Sequence, residues 1–203
     1  VNGERYTGTS VVLATGSLDR PLVFQDNDRP GVMLSSAVGR FVGEYGVAPG
    51  RTVGIFTNND GGHLTALSLI QAGLNVSAII DTRRAPESPT VEATAAAGIR
   101  LFAGSEVVGT SGYKGLRSID VAPISGGSAK RIDCSVLALS GGRTPLIHLA
   151  THRGVKPVFN PQSGEFVCPD VPSGWHVVGD AGGFSSFAKA MNDGFEVSAA
   201  IRV

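Results

Sequence analysis

The stretch RTVGIFTNNDGGHLTALSLIQAGLNVSAIID, Arg51–Asp81, decides the fold. Thr52-Val53-Gly54-Ile55-Phe56 is a short apolar run with β-branched members, as a buried strand requires. A polar, turn-rich cluster follows at Thr57–Gly62, and then Leu64, Leu67, Leu69, Ile70 and Leu74 recur at helical spacing. Gly73 fits a helix end, and Val76–Ile80 is a second apolar run closed by Asp81. Strand, helix and strand of this length predict a βαβ unit, the core of a dinucleotide-binding fold.

The glycine fingerprint of such a fold, G-x-G-x-x-G, would occupy positions 57, 59 and 62. Only Gly62, the helix-packing glycine, is present; Thr57 and Asn59 replace the two that make the tight turn and admit a pyrophosphate. Asn tolerates a left-handed backbone better than most residues, which suits Asn59 to keep the turn, although its side chain stands where a phosphate would sit. Asp81 lies about twenty residues beyond Gly62, where an acid binds ribose hydroxyls. Asn59, Gly62 and Asp81 are therefore the candidate nucleotide ligands of this module. Asp81 could equally be a solvated strand-end acid. Arg83 and Arg84 could accept a 2′-phosphate or could be a solvated loop.

Working outward, Val11–Ser17 reads as a buried strand ending in the turn Ala14-Thr15-Gly16-Ser17, with Asn2-Gly3 before it suggesting a hairpin turn. Residues 20–30 form a polar connector, and Met33–Tyr45 has helical spacing with Ser35 or Ser36 placed to cap it. Beyond Asp81, Thr90–Ala97 predicts a short helix ending at Gly98, and Ile99–Phe102 a third parallel strand. Short β runs alternate with glycine-rich turns from Glu106 to Ile132, which reads as an antiparallel excursion. Asp133–Ser140 is another apolar strand followed by Gly141-Gly142-Arg143-Thr144-Pro145, echoing the ATGS turn, so the two turns bracket an insertion. Trp175–Gly183 gives a last strand and turn containing Gly179-Asp180, and Phe187–Ile201 a closing helix. The expected organisation is an outer FAD/NAD-binding domain over 1–24, an inserted NAD(P)-binding-like domain over 25–132, and a return to the outer domain over 133–203.

Composition narrows the class. The 203 residues carry a formal net charge of +0, which gives no electrostatic reason to expect nucleic acid or an anionic membrane as partner. The 28 glycines sit at strand ends and turns, as suits an α/β nucleotide fold. No run of about eighteen apolar residues and no signal peptide is visible. Cys134 and Cys168 form no metal or redox pair, so a reduced, cytoplasmic compartment is the default. The opening VNGERYTGTSVVLATGS enters mid-motif and reads as part of a longer chain. His148 and His152 have zincin spacing, but Leu149 replaces the glutamate that the motif needs, so no metal is expected. No hydrolase constellation is legible, and flavin or nicotinamide chemistry needs few catalytic side chains. No catalytic residue is assigned.

The order of the motifs is more specific than any one of them. A strand with ATGS, a βαβ module, strand-GGRTP and strand-GD-x-G-G leading to a helix resembles the pyridine nucleotide-disulfide oxidoreductase family. Within it, RPLVFQDNDRPGVM (20–33), FTNND (56–60) and ALSGGRTPLIHL (138–149) are similar to α subunits of heterotetrameric sarcosine oxidase and related opine and proline dehydrogenase subunits. The resemblance spans essentially the whole chain. It implies a Rossmann-like FAD/NAD(P)-binding reductase fold, a bound NAD, and FAD or FMN in the parent complex. It also implies a flavin-bearing β subunit on which sarcosine is oxidatively demethylated. The nucleotide would be held mainly by the outer domain, whose GxGxxG would precede Val1. In this chain that site would keep Thr15, Gly16, Gly179 and Asp180. Some α subunits of this kind carry a small residue at the position of Asp180, which leans toward the general reductase pattern. A ferredoxin-type flavin reductase is the alternative enzyme; the C-x-x-C of the thioredoxin branch is absent. A non-catalytic scaffold, with the inserted module a relic that binds no nucleotide, is the alternative from another class.

Overall fold

A computed structural model describes residues 3, 7–161, 163–183 and 186–201. In chain order the elements are β1 (Val11–Leu13), β2 (Ser17–Asp19), β3 (Val32–Leu34), α1 (Ser35–Gly43), β4 (Thr52–Thr57), α2 (Asp60–Gln71), β5 (Asn75–Asp81), α3 (Pro89–Ala96), β6 (Leu101–Ala103), β7 (Ser105–Ser111), β8 (Ser118–Pro123), β9 (Lys130–Asp133) and β10 (Val136–Ser140). There follow β11 (Arg143–Pro145), α4 (His148–Thr151), β12 (Val158–Asn160), β13 (Glu165–Val167), β14 (Trp175–Val177), a 3-10 turn over Gly179–Gly182, and α5 (Phe187–Ala200). The chain divides into two compact units, Asp19–Gly142 and Val1–Leu18 with Arg143–Val203, called here the inserted and outer units. The turn expected at Asn2-Gly3 involves Asn2, which lies outside the described residues.

The inserted unit is built on a five-stranded sheet in the order β3-β10-β4-β5-β6, with all four adjacent pairings parallel. Both faces are covered, which is why its strands read as unbroken apolar runs. On one face Val53, Ile55, Ile79, Val136 and Ala138 pack with Val38 of α1 and with Ala66 and Leu69 of α2. On the other, Phe56, Ala78, Ile80, Leu137 and Leu139 pack against Ile119, Val121 and Ile132 of an antiparallel sheet, β7-β8-β9. The result is three layers: helices, parallel sheet, antiparallel sheet. Gly73, left-handed at φ +81°, stops α2 by returning its own N–H to the Ile70 carbonyl.

Two expectations are revised. The sequence pattern places Asp133–Ser140 in the outer domain, yet β10 is an interior strand of the inserted sheet, paired from Val136↔Val53 to Ser140↔Thr57 and also with β3. The inserted unit therefore runs from 19 to 142 instead of 25 to 132. A buried parallel strand carries the same apolar pattern whichever sheet it joins, so the partner is set by tertiary pairing. The helix expected over Met33–Tyr45 begins at Ser35, because Val32–Leu34 are used as an edge strand. Neither candidate serine caps it: the N-cap is Leu34, without a side-chain hydrogen bond.

In the outer unit, β1 pairs in parallel with β14, β12 with β13 as a hairpin, and β2 with β11. A small core of Leu13, Ala150, Val155 and Cys168, flanked by Ile147, Trp175 and Val177, lies beneath them. Among the described residues no helix is long and apolar enough to cross a membrane.

Candidate functional site

In the inserted unit the order β3-β10-β4 places the topological switch between β10 and β4, where parallel sheets open a crevice for ligands. The residues at that point fill it themselves. Asn59 is the N-cap of α2, its backbone extended (φ −154°, ψ 172°) and not in the left-handed turn expected of it. Its Oδ1 accepts from the Gly61 N–H at 2.8 Å and from the Ser140 hydroxyl at 3.1 Å. Its Nδ2 donates to the Ser140 carbonyl and to Asn58 Oδ1, both at 2.8 Å. Thr57 is fully buried, its hydroxyl placed between the carbonyls of Asn59 (2.8 Å) and Ser140 (3.2 Å). The Thr57 side chain lies directly over Gly62: a Cβ added at 62 would come within 2.5 Å of Thr57 Cβ. Gly62 is thus required for the packing of Thr57. Across the crevice Gly141 lies against the backbone, where a Cβ would meet the Arg20 carbonyl oxygen at 2.5 Å.

Asp81 ends β5 as the pattern requires, but it is fully buried and both oxygens are engaged. Oδ1 accepts from the Arg83 backbone N–H at 2.9 Å and from Arg83 Nε at 3.1 Å. Oδ2 accepts from His63 Nε2 at 3.0 Å and from the Arg83 guanidinium at 2.8 Å. Arg83 continues to Asp60 Oδ1 at 2.8 Å, while His63 Nδ1 meets Thr94 Oγ1 at 3.0 Å. Burial by itself raises the Asp81 carboxyl; hydrogen bonds from His63 and Arg83 and the arginine charge outweigh it and hold the group below the ordinary carboxylate range. Asp60 follows the same pattern: burial raises it, and Arg83 and Ser88 bring it down below its ordinary value. The Arg83 guanidinium is raised in turn, chiefly by its hydrogen bonds to Asp81. Burial also pushes the Cys134 thiol up to about 12, which makes it an inert core residue.

The outer unit has a different site. A cleft of about 610 Å³ is lined by Ala14, Gly16, Arg143, Gly179, Asp180 and Phe187, among others. Gly16 is left-handed at φ +74°, with nothing within 4 Å of where a Cβ would stand. The turn that carries it is pinned by Thr15 Oγ1 donating to the Leu146 carbonyl at 2.6 Å and by the Leu146 N–H donating to the Gly16 carbonyl at 2.9 Å. Gly179 (φ +64°) donates its N–H to Asp193 of α5 at 3.0 Å, which fixes the turn after β14. Asp180 Oδ2 accepts from the Ser17 hydroxyl at 3.0 Å and from the Arg143 guanidinium. Thr15 spends its proton on Leu146, so it is a turn-holder; Gly16 and Asp180 face the cleft.

The seven sequence candidates thus fall into two sets. Gly16, Gly179 and Asp180 come together at one cleft, and Thr15 ties the Gly16 turn to Leu146. Asn59, Gly62 and Asp81 lie at the C-terminal end of the inserted sheet with their polar groups and space taken. Sequence reading missed Ser140 and His63 as members of this network. A polar residue ending the buried strand β10 was the available signal for Ser140. For His63, its place on the apolar side of α2, three residues before Ala66, was the signal.

No family model matches the chain. It is 40% identical over 190 residues to a sarcosine oxidase subunit alpha of Rhizobium meliloti, covering 94% of this chain and 18% of that protein. A second sarcosine oxidase subunit alpha, of Corynebacterium sp. (strain P-1), is 36% identical over 196 residues, with 20% of its length covered. The chain therefore spans about a fifth of the length of the curated relatives it matches. Among solved structures, T. acidophilum thioredoxin reductase superposes with a TM-score of 0.77 at 19% identity, over 98% of this chain and 67% of that one. L-proline dehydrogenase from P. horikoshii gives 0.60 at 22% identity, over 85% and 30%. These likenesses establish the fold as that of FAD/NAD(P)-binding reductases. The resemblance read from the three motifs stands.

Proposed function

From the chain's likeness to one segment of sarcosine oxidase α subunits, we propose that it is the nucleotide-carrying part of a flavoenzyme subunit. The complex it serves oxidises a secondary amine such as sarcosine. Its relatives are named as one subunit of an oxidase, which supports a hetero-oligomer, and a flavin-bearing β subunit is the proposed partner. The nucleotide is NAD, bound at the outer cleft, with FAD or FMN elsewhere in the complex and the cytoplasm as compartment. The observation that carries this reading is the Asp180 carboxylate at the carboxyl end of β14, facing a cleft floored by the open, left-handed Gly16. An α/β sheet presents an acid to ribose hydroxyls in that position. Thr15 and Gly179 would hold the two turns between which the nucleotide lies. A flavin accepts the hydride in amine oxidation, which leaves this chain the tasks of binding and orienting.

Titrating the intact protein with NAD, NADP and FAD separately tests the reading. Saturable NAD binding that weakens on Asp180→Ala is the expected result. Failure of NAD to bind, or binding indifferent to Asp180→Ala, would remove the outer cleft from consideration.

A further inference from the structure

The inserted unit has the backbone of a nucleotide site but not the vacancy. Three features of such a site can be compared one by one with what occupies them. The first is the N-terminus of the helix after the first strand, where phosphate oxygens accept from backbone N–H groups. Here Asn59 Oδ1 takes the Gly61 N–H at 2.8 Å. The second is the space that the two missing glycines would leave for a pyrophosphate. Here the Thr57 side chain fills it, close enough to Gly62 to forbid a Cβ, and is held by the Ser140 carbonyl. The third is the acid at the end of the second strand, which accepts from ribose hydroxyls. Here Arg83 supplies the donors, two from its guanidinium and one from its backbone, and His63 supplies another. NAD does not fit residues so disposed.

We propose that the inserted unit is a self-liganded nucleotide fold. A carboxamide and a hydroxyl stand in for the phosphate, and a guanidinium stands in for the ribose. The unit takes no dinucleotide and stays closed whatever the cofactor concentration. Arg83 is the lock, because its guanidinium bridges the acid of β5 to Asp60 in the first turn of α2. The substitutions act together. Without the Arg83 side chain, Asp81 would be a buried carboxylate left with His63 and the backbone N–H of residue 83, its charged partner gone, and the end of β5 would open to solvent.

This inference concerns the inserted unit and does not depend on what the outer cleft binds. Hydrogen exchange resolved by peptide, on the intact protein, separates the two sites. Protection of residues 57–62 and 81–88 should be the same with and without saturating NAD or NADP. In the Arg83→Ala protein, protection over 81–88 should fall by roughly tenfold or more, the loss expected when charge-assisted hydrogen bonds are removed. Arg83→Lys should restore part of it. Protection at 57–62 and 81–88 that rises with either nucleotide in the unsubstituted protein would overturn the proposal, and that arm needs no variant to fold. Unchanged protection in a folded Arg83→Ala protein would overturn the assignment of the lock. A nucleotide effect confined to residues 14–17 and 178–183 would support the outer cleft and leave the inserted unit closed, as proposed.

Discussion

Two acids stand at the ends of parallel strands in this chain, one buried in a network of donors and the other on the wall of a cleft. Asp81 closes β5 with 0% of its side chain exposed and hydrogen bonds on both oxygens. Asp180 follows β14 with 23% exposed and lines a cleft, where Ser17 and Arg143 hold its Oδ2. The topology that puts an acid at a strand's carboxyl end is the same in both places. What differs is the neighbour: Arg83 lies two residues from Asp81 and folds back over it, whereas Asp180 shares its cleft with the left-handed Gly16 and Gly179. Position in a fold therefore nominates a ligand, and the surrounding donors decide whether it is free to act.

If that contrast is right, the two acids should fail differently. The largest loss of stability is expected for Asp81→Ala. It leaves the Arg83 guanidinium and the buried His63 without their shared acceptor, and breaking a buried pair from one side costs about 3–5 kcal/mol. Thermal unfolding of the intact protein reads this directly. A shift no larger than that of a surface acid would show that the buried network contributes little.

Gly62→Ala comes next. The added methyl would sit 2.5 Å from Thr57 Cβ, inside a layer with no room to yield, and overpacking of that kind costs about 1–3 kcal/mol. The pairing is specific, so Thr57→Gly in the same chain, which removes all three side-chain atoms that the methyl would meet, should recover part of the loss. Asn59→Ala should cost about 1 kcal/mol as a lost helix cap. Chemical denaturation of the single and double variants separates the packing term from the capping term.

These sites show what was legible in the sequence. The βαβ core, the antiparallel excursion and the closing helix follow from apolar periodicity, a local property. The missing glycines at 57 and 59 announced that the turn was altered. They did not reveal that Ser140, more than eighty residues away, would supply the other half of the plug through its carbonyl and hydroxyl. The same limit moved β10 into the wrong domain, since its partners β3 and β4 are fixed only by long-range pairing. Asp81 was correctly placed and its freedom was not, because that depends on the conformation of the Arg83 side chain.

Acid should act first on the inserted unit. The folded carboxyls of Asp81 and Asp60 lie below their ordinary values, so their contribution is complete above about pH 4 and is lost as pH falls through the lower folded values. Stability measured from pH 6 to pH 2 should therefore decline on its acid limb, and Asp81→Asn should make that limb shallower. An identical limb in the variant would place the acid-sensitive groups elsewhere.

The smallest effect on stability is expected at Asp180, and it is the most informative. Its pair with Arg143 is open to solvent on the arginine side, at 55% exposure, and such pairs contribute about 0–1 kcal/mol. Asp180→Asn should thus unfold almost where the unsubstituted protein does. If the outer cleft takes a ribose, the same change exchanges a charged acceptor for a neutral one and should weaken NAD by roughly tenfold or more. Asp81→Asn should do the reverse, lowering the unfolding temperature while leaving NAD affinity unchanged. Stability and affinity would then be carried by separate acids at equivalent strand ends. A variant at either acid that moved both quantities together would mean that the two units do not divide the work in this way.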